Sequence, residues 1–388
     1  MRSWMTIVLL LAGSSAMPLH AQHTRSAVRT FAPTRPVTSR HAAITPDSQR
    51  SPAAVYRMAC ASCHGPDGGG MPESQVGFDV PLPDFGDCSF ATREPDSDWY
   101  AVTHDGGPAR GFDRMMPAFG DVLTDAEIEA AVAHLRTFCD DRAWPRGELN
   151  LPRPLVTEKA FPEDEAVVEG GAALEGRPAY RAQLVFERRF RARNQFEIVI
   201  PFRVDRDEPG RWRGGLGDIA VAVKRAVHHS VDRGTILSIA GEVILPTGDI
   251  DDGDGSGVFA FEPFLLVGQI LPRDAFVHAQ AGGRLSADTD RLPREAFARG
   301  AAGMSFTEGR FGRTWSPMVE LLVAREAVAG AHVEWDVVPQ MQVTLNTRQH
   351  VMMNAGVRIP LSDAGPRRTE LLVYLLWDWF DGPFLAGW

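Results

Sequence analysis

The sequence predicts two domains of different class, a small all-α domain followed by an all-β antiparallel domain closed into a barrel of about twelve strands. Three observations predict it. Apolar residues recur at helical spacing up to residue 141. From residue 163 onward they alternate with polar ones, in runs of roughly 9 to 13 residues. A stretch rich in proline and charge separates the two regimes. The chain has 388 residues, enough for two domains or more, and its 44% hydrophobic content against 23% charged residues fits folded protein.

Taken in order, residues 1–21 read as a secretory signal. Arg2 supplies the positive end, Met5 to Ala12 the apolar core, and Leu19-His20-Ala21 a small-residue cleavage site. The apolar run falls short of the roughly 20 residues that a spanning helix needs. Residues 22–50, polar and without periodicity, read as a tether. The α domain occupies 51–141. It opens on Ser51-Pro52, an N-cap followed by proline at the first helical position. Near its end Thr124-Asp125-Ala126-Glu127 is a capping box, and Ile128, Val132, Leu135 and Cys139 then mark one apolar helix face. Residues 142–162 read as a linker and 163–388 as the barrel.

In the β region Tyr180, Ala182, Leu184 and Phe186 alternate with Arg181, Gln183 and Glu187. The longest row sets Val333, Trp335, Val337, Met341, Val343 and Leu345 against Glu334, Asp336, Gln340, Gln342 and Thr344. A strand of a soluble sandwich usually has about 5 or 6 residues, whereas a transmembrane strand needs roughly 9 to 11. Apolar rows facing lipid opposite charged rows facing a lumen are the pattern of an outer-membrane barrel, and Trp315, Trp377 and Trp379 near run ends suit interface girdles. Against this stand Pro201, Pro263 and Pro339, each inside a run where a ladder hydrogen bond would be lost. Asp381-Gly382-Pro383 also interrupts the run that leads to Trp388.

The chemistry lies in Cys60-Ala61-Ser62-Cys63-His64. Two cysteines three apart project from one helical turn at the spacing of two haem vinyl groups, and the following histidine is then held under the iron. The motif predicts one covalent haem c, with Cys60 and Cys63 attached and His64 as a metal ligand. A zinc site would need a second ligand pair at suitable spacing, and the sequence offers none. The sixth ligand is expected at Met116, followed directly by Pro117; Met115 and Met71 are its rivals. Thioether ligation would raise the potential and close the iron to small ligands. Cys88 and Cys139 remain, in an exported protein, as a disulfide or as two buried thiols. The net charge of −10 excludes nucleic acid as a partner.

Two resemblances extend this reading. The haem motif, Met116-Pro117-Ala118-Phe119 and Leu123-Thr124-Asp125-Ala126-Glu127-Ile128 resemble class I monohaem cytochrome c over about 90 residues. That likeness implies His64 and Met116 as axial ligands, and a proline carbonyl from the Val80–Pro83 region orienting the histidine. The Cys88/Cys139 pair is no part of the basic family pattern. Gly215-Leu216-Gly217-Asp218-Ile219 with Glu242 to Asp249 resembles outer-membrane barrels grouped as the phenol-degradation "transporter" family, which implies architecture more than substrate. The domain order is similar to cytochrome–porin fusions. The expectation is an electron-transfer protein rather than an enzyme, anchored in the outer membrane of a Gram-negative bacterium with its haem domain periplasmic. It would exchange single electrons with redox proteins or an extracellular donor or acceptor. The alternative is an outer-membrane channel whose cytochrome serves a periplasmic redox partner.

Overall fold

The computed structural model describes residues 50–206, 210–362 and 367–379. The expected signal and all of the tether but residue 50, as well as Asp381-Gly382-Pro383 and Trp388, lie outside the described residues. Six helices come first: α1 (Pro52–Ala59), α2 (Ala61–His64), α3 (Glu73–Val76), α4 (Cys88–Ala91), α5 (Asp96–Asp105) and α6 (Asp125–Leu135). Pro52 starts α1 as expected, although the Ser51 side chain makes no capping bond. The capping box of α6 forms in full, with Glu127 N–H donating to Thr124 Oγ1 at 3.3 Å and Thr124 N–H to Glu127 Oε2 at 3.0 Å. Val55 and Tyr56 of α1 pack on Ile128, Ala131, Val132 and Leu135 of α6, all buried. The helix ends at Leu135, so Cys139 lies beyond the stripe rather than on it. It is bridged to Cys88, at the start of α4.

Fourteen strands follow: β1 (Glu165–Ala173), β2 (Ala179–Phe190), β3 (Asn194–Arg206), β4 (Trp212–Leu216), β5 (Ala220–Ser230), β6 (Thr235–Ile244), β7 (Ala260–Leu271), β8 (Ala275–Ser286), β9 (Glu295–Met304), β10 (Phe306–Thr307), β11 (Thr314–Glu326), β12 (Glu334–Thr344), β13 (Val351–Pro360) and β14 (Glu370–Asp378). Twelve of them close an antiparallel barrel, β14 pairing β1 and β9 pairing β11, while β4 and β10 are short side pairings. The alternation is obeyed along the longest row except at Val343, which is buried. Trp335, Val337 and Met341 face outward while Asp336, Gln340, Gln342 and Thr344 are buried within the lumen. Leu184, Val223, Leu265, Val319 and Leu375 continue an exposed apolar band around the outside. Trp379 departs from the expected girdle, being buried and stacked on Phe186.

Each proline within a run falls where a ladder is interrupted. Pro201 pairs with Gln183 on one side, and on the other it sits where β3 changes partner from Ala220 of β5 to Leu216 of β4. Pro263 lies in the gap between Phe261–Leu285 and Phe264–Gly282, and Pro339 between Val337–Ile359 and Gln340–Gly356. A residue without an N–H costs nothing at a position that lacks a ladder bond.

The stretch expected as a linker does join the halves, but from Gly147 onward it is lodged in the lumen. Leu149, Leu151, Leu155, Ala160 and Phe161 are buried against inward residues such as Ile236, Leu266, Val338 and Leu376. Its backbone is held from all sides. Glu320 of β11 accepts from the N–H groups of Leu155, Val156 and Thr157 at 2.9, 3.1 and 2.7 Å. Lys224 donates to Lys159 O at 3.0 Å, Tyr374 to Arg153 O at 2.7 Å and Ser238 to Ala160 O at 2.5 Å. At Gly356 there is no room for more, since a Cβ there would lie 2.7 Å from Leu155 Cδ1.

The disulfide closes a loop of 51 residues that contains the Met116 segment. In the chain-entropy picture it is worth about 4 kcal/mol. Cys139→Ser should lower the unfolding free energy of the helical domain by about that much, read as a lower midpoint at unchanged slope in denaturant titration. Without reduction, mass spectrometry should find Cys88 and Cys139 closed to alkylation.

Candidate functional site

Cys60 and Cys63 flank the single turn of α2, where His64 N–H donates to Cys60 O at 2.9 Å. Both are free thiols. Gly65 ends the turn with φ of 76°, and Tyr56 Oη donates to its carbonyl at 2.6 Å, tying α1 to the motif. The glycine-rich continuation then passes under α6. A Cβ at Gly68 would lie 2.5 Å from the Phe138 ring, and its φ of +81° also favours glycine.

Opposite the motif, α5 ends at Gly106, whose φ of +83° lets the next segment turn back on the helix. Gly107 N–H donates to Met116 O at 3.0 Å, Phe119 N–H to Thr103 O at 3.0 Å and Gly120 N–H to His104 O at 2.9 Å. The methionine loop is thus laid along the end of α5. A cavity of about 680 Å³ has walls that include Cys60, Cys63, His64, Met115 and Met116. Met71 is not in that wall. Phe85, Trp99, Leu82, Val102 and Leu135 make most of the remainder apolar.

These walls fit a covalent haem. The thiols are unoxidised, and burial holds His64 below the usual imidazole range, in the neutral form a metal ligand needs. The apolar slot suits a macrocycle. No cluster of three or more His, Cys, Asp or Glu able to hold a metal ion occurs among the described residues. His64 Nδ1 is sealed from solvent without a hydrogen-bond partner among the described residues, so no proline carbonyl orients it here.

A family model described as cytochrome c oxidase, cbb3-type, subunit III matches residues 47–135. This segment is a c-type cytochrome domain. No curated protein matches the chain. Among solved structures, it is similar to an outer-membrane channel from Pseudomonas putida F1, at 11% identity and a TM-score of 0.41, over 55% of this chain and 94% of that one. The NanC porin (10%, TM-score 0.38) and the KdgM porin in complex with disordered oligogalacturonate (8%, 0.36) each match over 55% of this chain and 98% of theirs.

The cytochrome domain is clamped to one rim of the barrel, the end at which β1 begins and β14 finishes. Arg310 of the β9–β11 connection donates to Tyr100 Oη at 2.7 Å and to Asp125 Oδ1 at 2.9 Å. Arg110 Nη1 donates to Phe311 O at 2.8 Å. His350, in the β12–β13 turn, pairs with Glu94 at 2.8 Å and faces Asp378 at 3.3 Å, and Arg93 pairs with Asp164. Arg348 and His350 of the barrel also line the haem cavity. Sequence reading missed both, because they lie more than 280 residues from the motif and carry no local signature. A second cavity, of about 740 Å³, shares Glu94, Asp98, Arg110, Arg348 and His350 with the first and reaches Arg153 and Lys159 in the lumen.

Asp98 stands at this junction, bonded to Arg110 Nε at 2.5 Å. Burial and the neighbouring Glu94 push its carboxyl up to about 6 against the pull of Arg110. The folded protein therefore binds this proton more tightly than the unfolded chain, whose value is about 3.9. The associated stability is complete below about pH 4 and is lost as the pH rises through 6. In Asp98→Asn that slope should vanish from the pH profile of the unfolding midpoint, with the rest of the profile retained.

Proposed function

We propose that the chain is an electron-transfer protein of the outer membrane. In this reading one haem c is attached at Cys60 and Cys63, His64 and Met116 are its axial ligands, and the barrel anchors it at the periplasmic rim. The observation that carries the proposal is the clamping of the cytochrome domain onto the rim with the shorter turns. At that rim β2–β3, β5–β6, β7–β8, β9–β11 and β12–β13 are joined by residues 191–193, 231–234, 272–274, 305–313 and 345–350, whereas the far end carries the longest connection described, 245–259. Outer-membrane barrels keep short turns in the periplasm and long loops outside. The exposed apolar band supports contact with lipid, since a soluble surface rarely carries so large a patch.

Bound haem supplies a one-electron couple at iron, and the chain's own residues position and shield it. Met116 and His64 both stand in the cavity wall, and the aromatic side chains Phe85 and Trp99 beside them make that wall apolar. The partners that fit this placement are periplasmic redox proteins. Strands of 9 to 13 residues put the far rim roughly 30 Å away, so an extracellular donor or acceptor would need a further carrier. The channel alternative is disfavoured by the filled lumen.

The tests separate these elements. Met116→Ala should keep its covalent haem, lose the sulfur-to-iron charge-transfer band and gain rapid binding of carbon monoxide; an unchanged spectrum would move the ligand to Met115 or elsewhere. In planar bilayers the intact protein should conduct poorly. Glu320→Ala strips the acceptor from the Val156 and Thr157 N–H groups, each worth about 1–3 kcal/mol, leaves Leu155 N–H with Gln340 Oε1 alone at 3.0 Å, and should raise the conductance by loosening the segment in the lumen. High conductance in the unaltered protein would instead favour the channel reading.

A further inference from the structure

We propose that the outer wall of the barrel, at the rim carrying the cytochrome domain, binds the phosphate groups of anionic phospholipid through Arg191, Arg225 and Arg233. This rests on the reading of the barrel as membrane-spanning. The register of β2, β3 and β5 sets two rows across the outside. Arg188, Phe196 and Val223 lie opposite one another in the first, and Phe190, Asn194 and Arg225 in the second, nearer the rim. Beyond a bulge at Ala226/His228, His228 pairs with Leu237, on the same face as the exposed Ile239 that pairs with Arg225. Arg191 and Arg233 occupy the β2–β3 and β5–β6 turns. Arg188, Arg191, Arg225, His228 and Arg233 are all exposed, and Phe190, Val223 and Ile239 beside them belong to the exposed apolar band.

The strip is nearly all of one sign. Glu187 and Glu197 of the same strands are buried in the lumen, and Asp232 in the β5–β6 turn is the acid that remains. Arg188 stands 3.4 Å from Asp164. Arg225 Nη1 donates to Asn194 Oδ1 at 2.8 Å, which holds the guanidinium without neutralising it. Among the described residues none of Arg191, Arg225 and Arg233 pairs with a carboxylate. Toward the other end of the barrel, by contrast, Arg181, Arg284 and Arg358 pair with Glu370, Glu295 and Asp336, each at 2.7 Å. An arginine on a lipid-facing row is costly at the bilayer centre and nearly free at headgroup level. There its planar fork matches two oxygens of a phosphate, while the apolar residues beside it meet the acyl chains of the same lipid. A soluble anion would use only the first of these contacts, and a zwitterionic lipid brings its own cation to the patch.

Native mass spectrometry of the full-length protein in detergent, titrated with phosphatidylglycerol or phosphatidylcholine, reads the selectivity. The unaltered protein should hold phosphatidylglycerol more tightly. Arg191→Gln combined with Arg225→Gln should weaken that binding about fivefold for each charge removed and leave phosphatidylcholine unaffected. Arg225→Lys keeps the charge and should retain most of the selectivity. Arg291→Gln, in the β8–β9 connection at the far end, should leave it intact. Equal binding of the two lipids by the unaltered protein overturns the proposal, as does a double variant that loses neither or both alike. Displacement of the lipid by an equal concentration of inorganic phosphate also overturns it, since the patch would then be a site for soluble anions. The membrane reading fails separately, if alkaline carbonate washes the unaltered chain out of outer membranes.

Discussion

The Glu320 carboxylate, fully buried at mid-barrel, fixes the segment on which the whole arrangement turns. Three successive backbone N–H groups and the Thr157 hydroxyl converge on it. A chain re-entering a lumen must satisfy its own amides there or pay for each one. Here the strands supply the acceptors and donors, with Gln195 accepting from Glu163 N–H at 2.7 Å and Asn354 donating to Arg153 O at 3.2 Å. The charges carried inward are paired as well. Arg153 meets Glu165 and Glu187 at 2.7 and 2.9 Å, and Lys159 meets Glu163 and Glu165 at 2.5 and 3.2 Å. Such pairs contribute little net stability, but removing one partner would strand a charge, so they fix the path of the segment.

That path explains why the cytochrome domain is not a loosely tethered module. Gly147 N–H donates to Thr92 O at 2.8 Å as the chain leaves the helical domain. Room for this is tight, since a Cβ at Gly147 would lie 2.0 Å from Arg93 O. The chain then descends into the lumen and returns to start β1 at the same rim. Both ends of the re-entrant segment are therefore held at one face, and the helical domain is drawn down onto it. The rim contacts of Arg310, Arg110 and His350 follow from this closure rather than cause it.

The consequence for the haem is that its pocket is shared. An isolated cytochrome domain would keep the thiols, His64, Met116 and the aromatic lining. It would lack the cationic corner contributed by Arg348 and His350. The barrel in this arrangement contributes part of the cavity wall.

Local order was written in the sequence wherever neighbours along the chain decide it. The CxxCH turn, the capping box of α6 and the alternation of the strands each depend on spacing of a few residues, so they could be read directly. The twelve-strand count followed from the same period. The prolines could not be understood at that level, because whether a missing N–H matters depends on which edge of the strand is paired. The 142–162 stretch looked like a spacer because proline and charge usually mean solvent, and only the ring of inward-facing partners shows those charges to be satisfied inside a lumen. Arg348 was invisible for the same reason. Its place in the cavity wall arises from closure of the barrel against the helical domain, which brings residues 112 and 348 together, and no local pattern encodes a contact across such a distance.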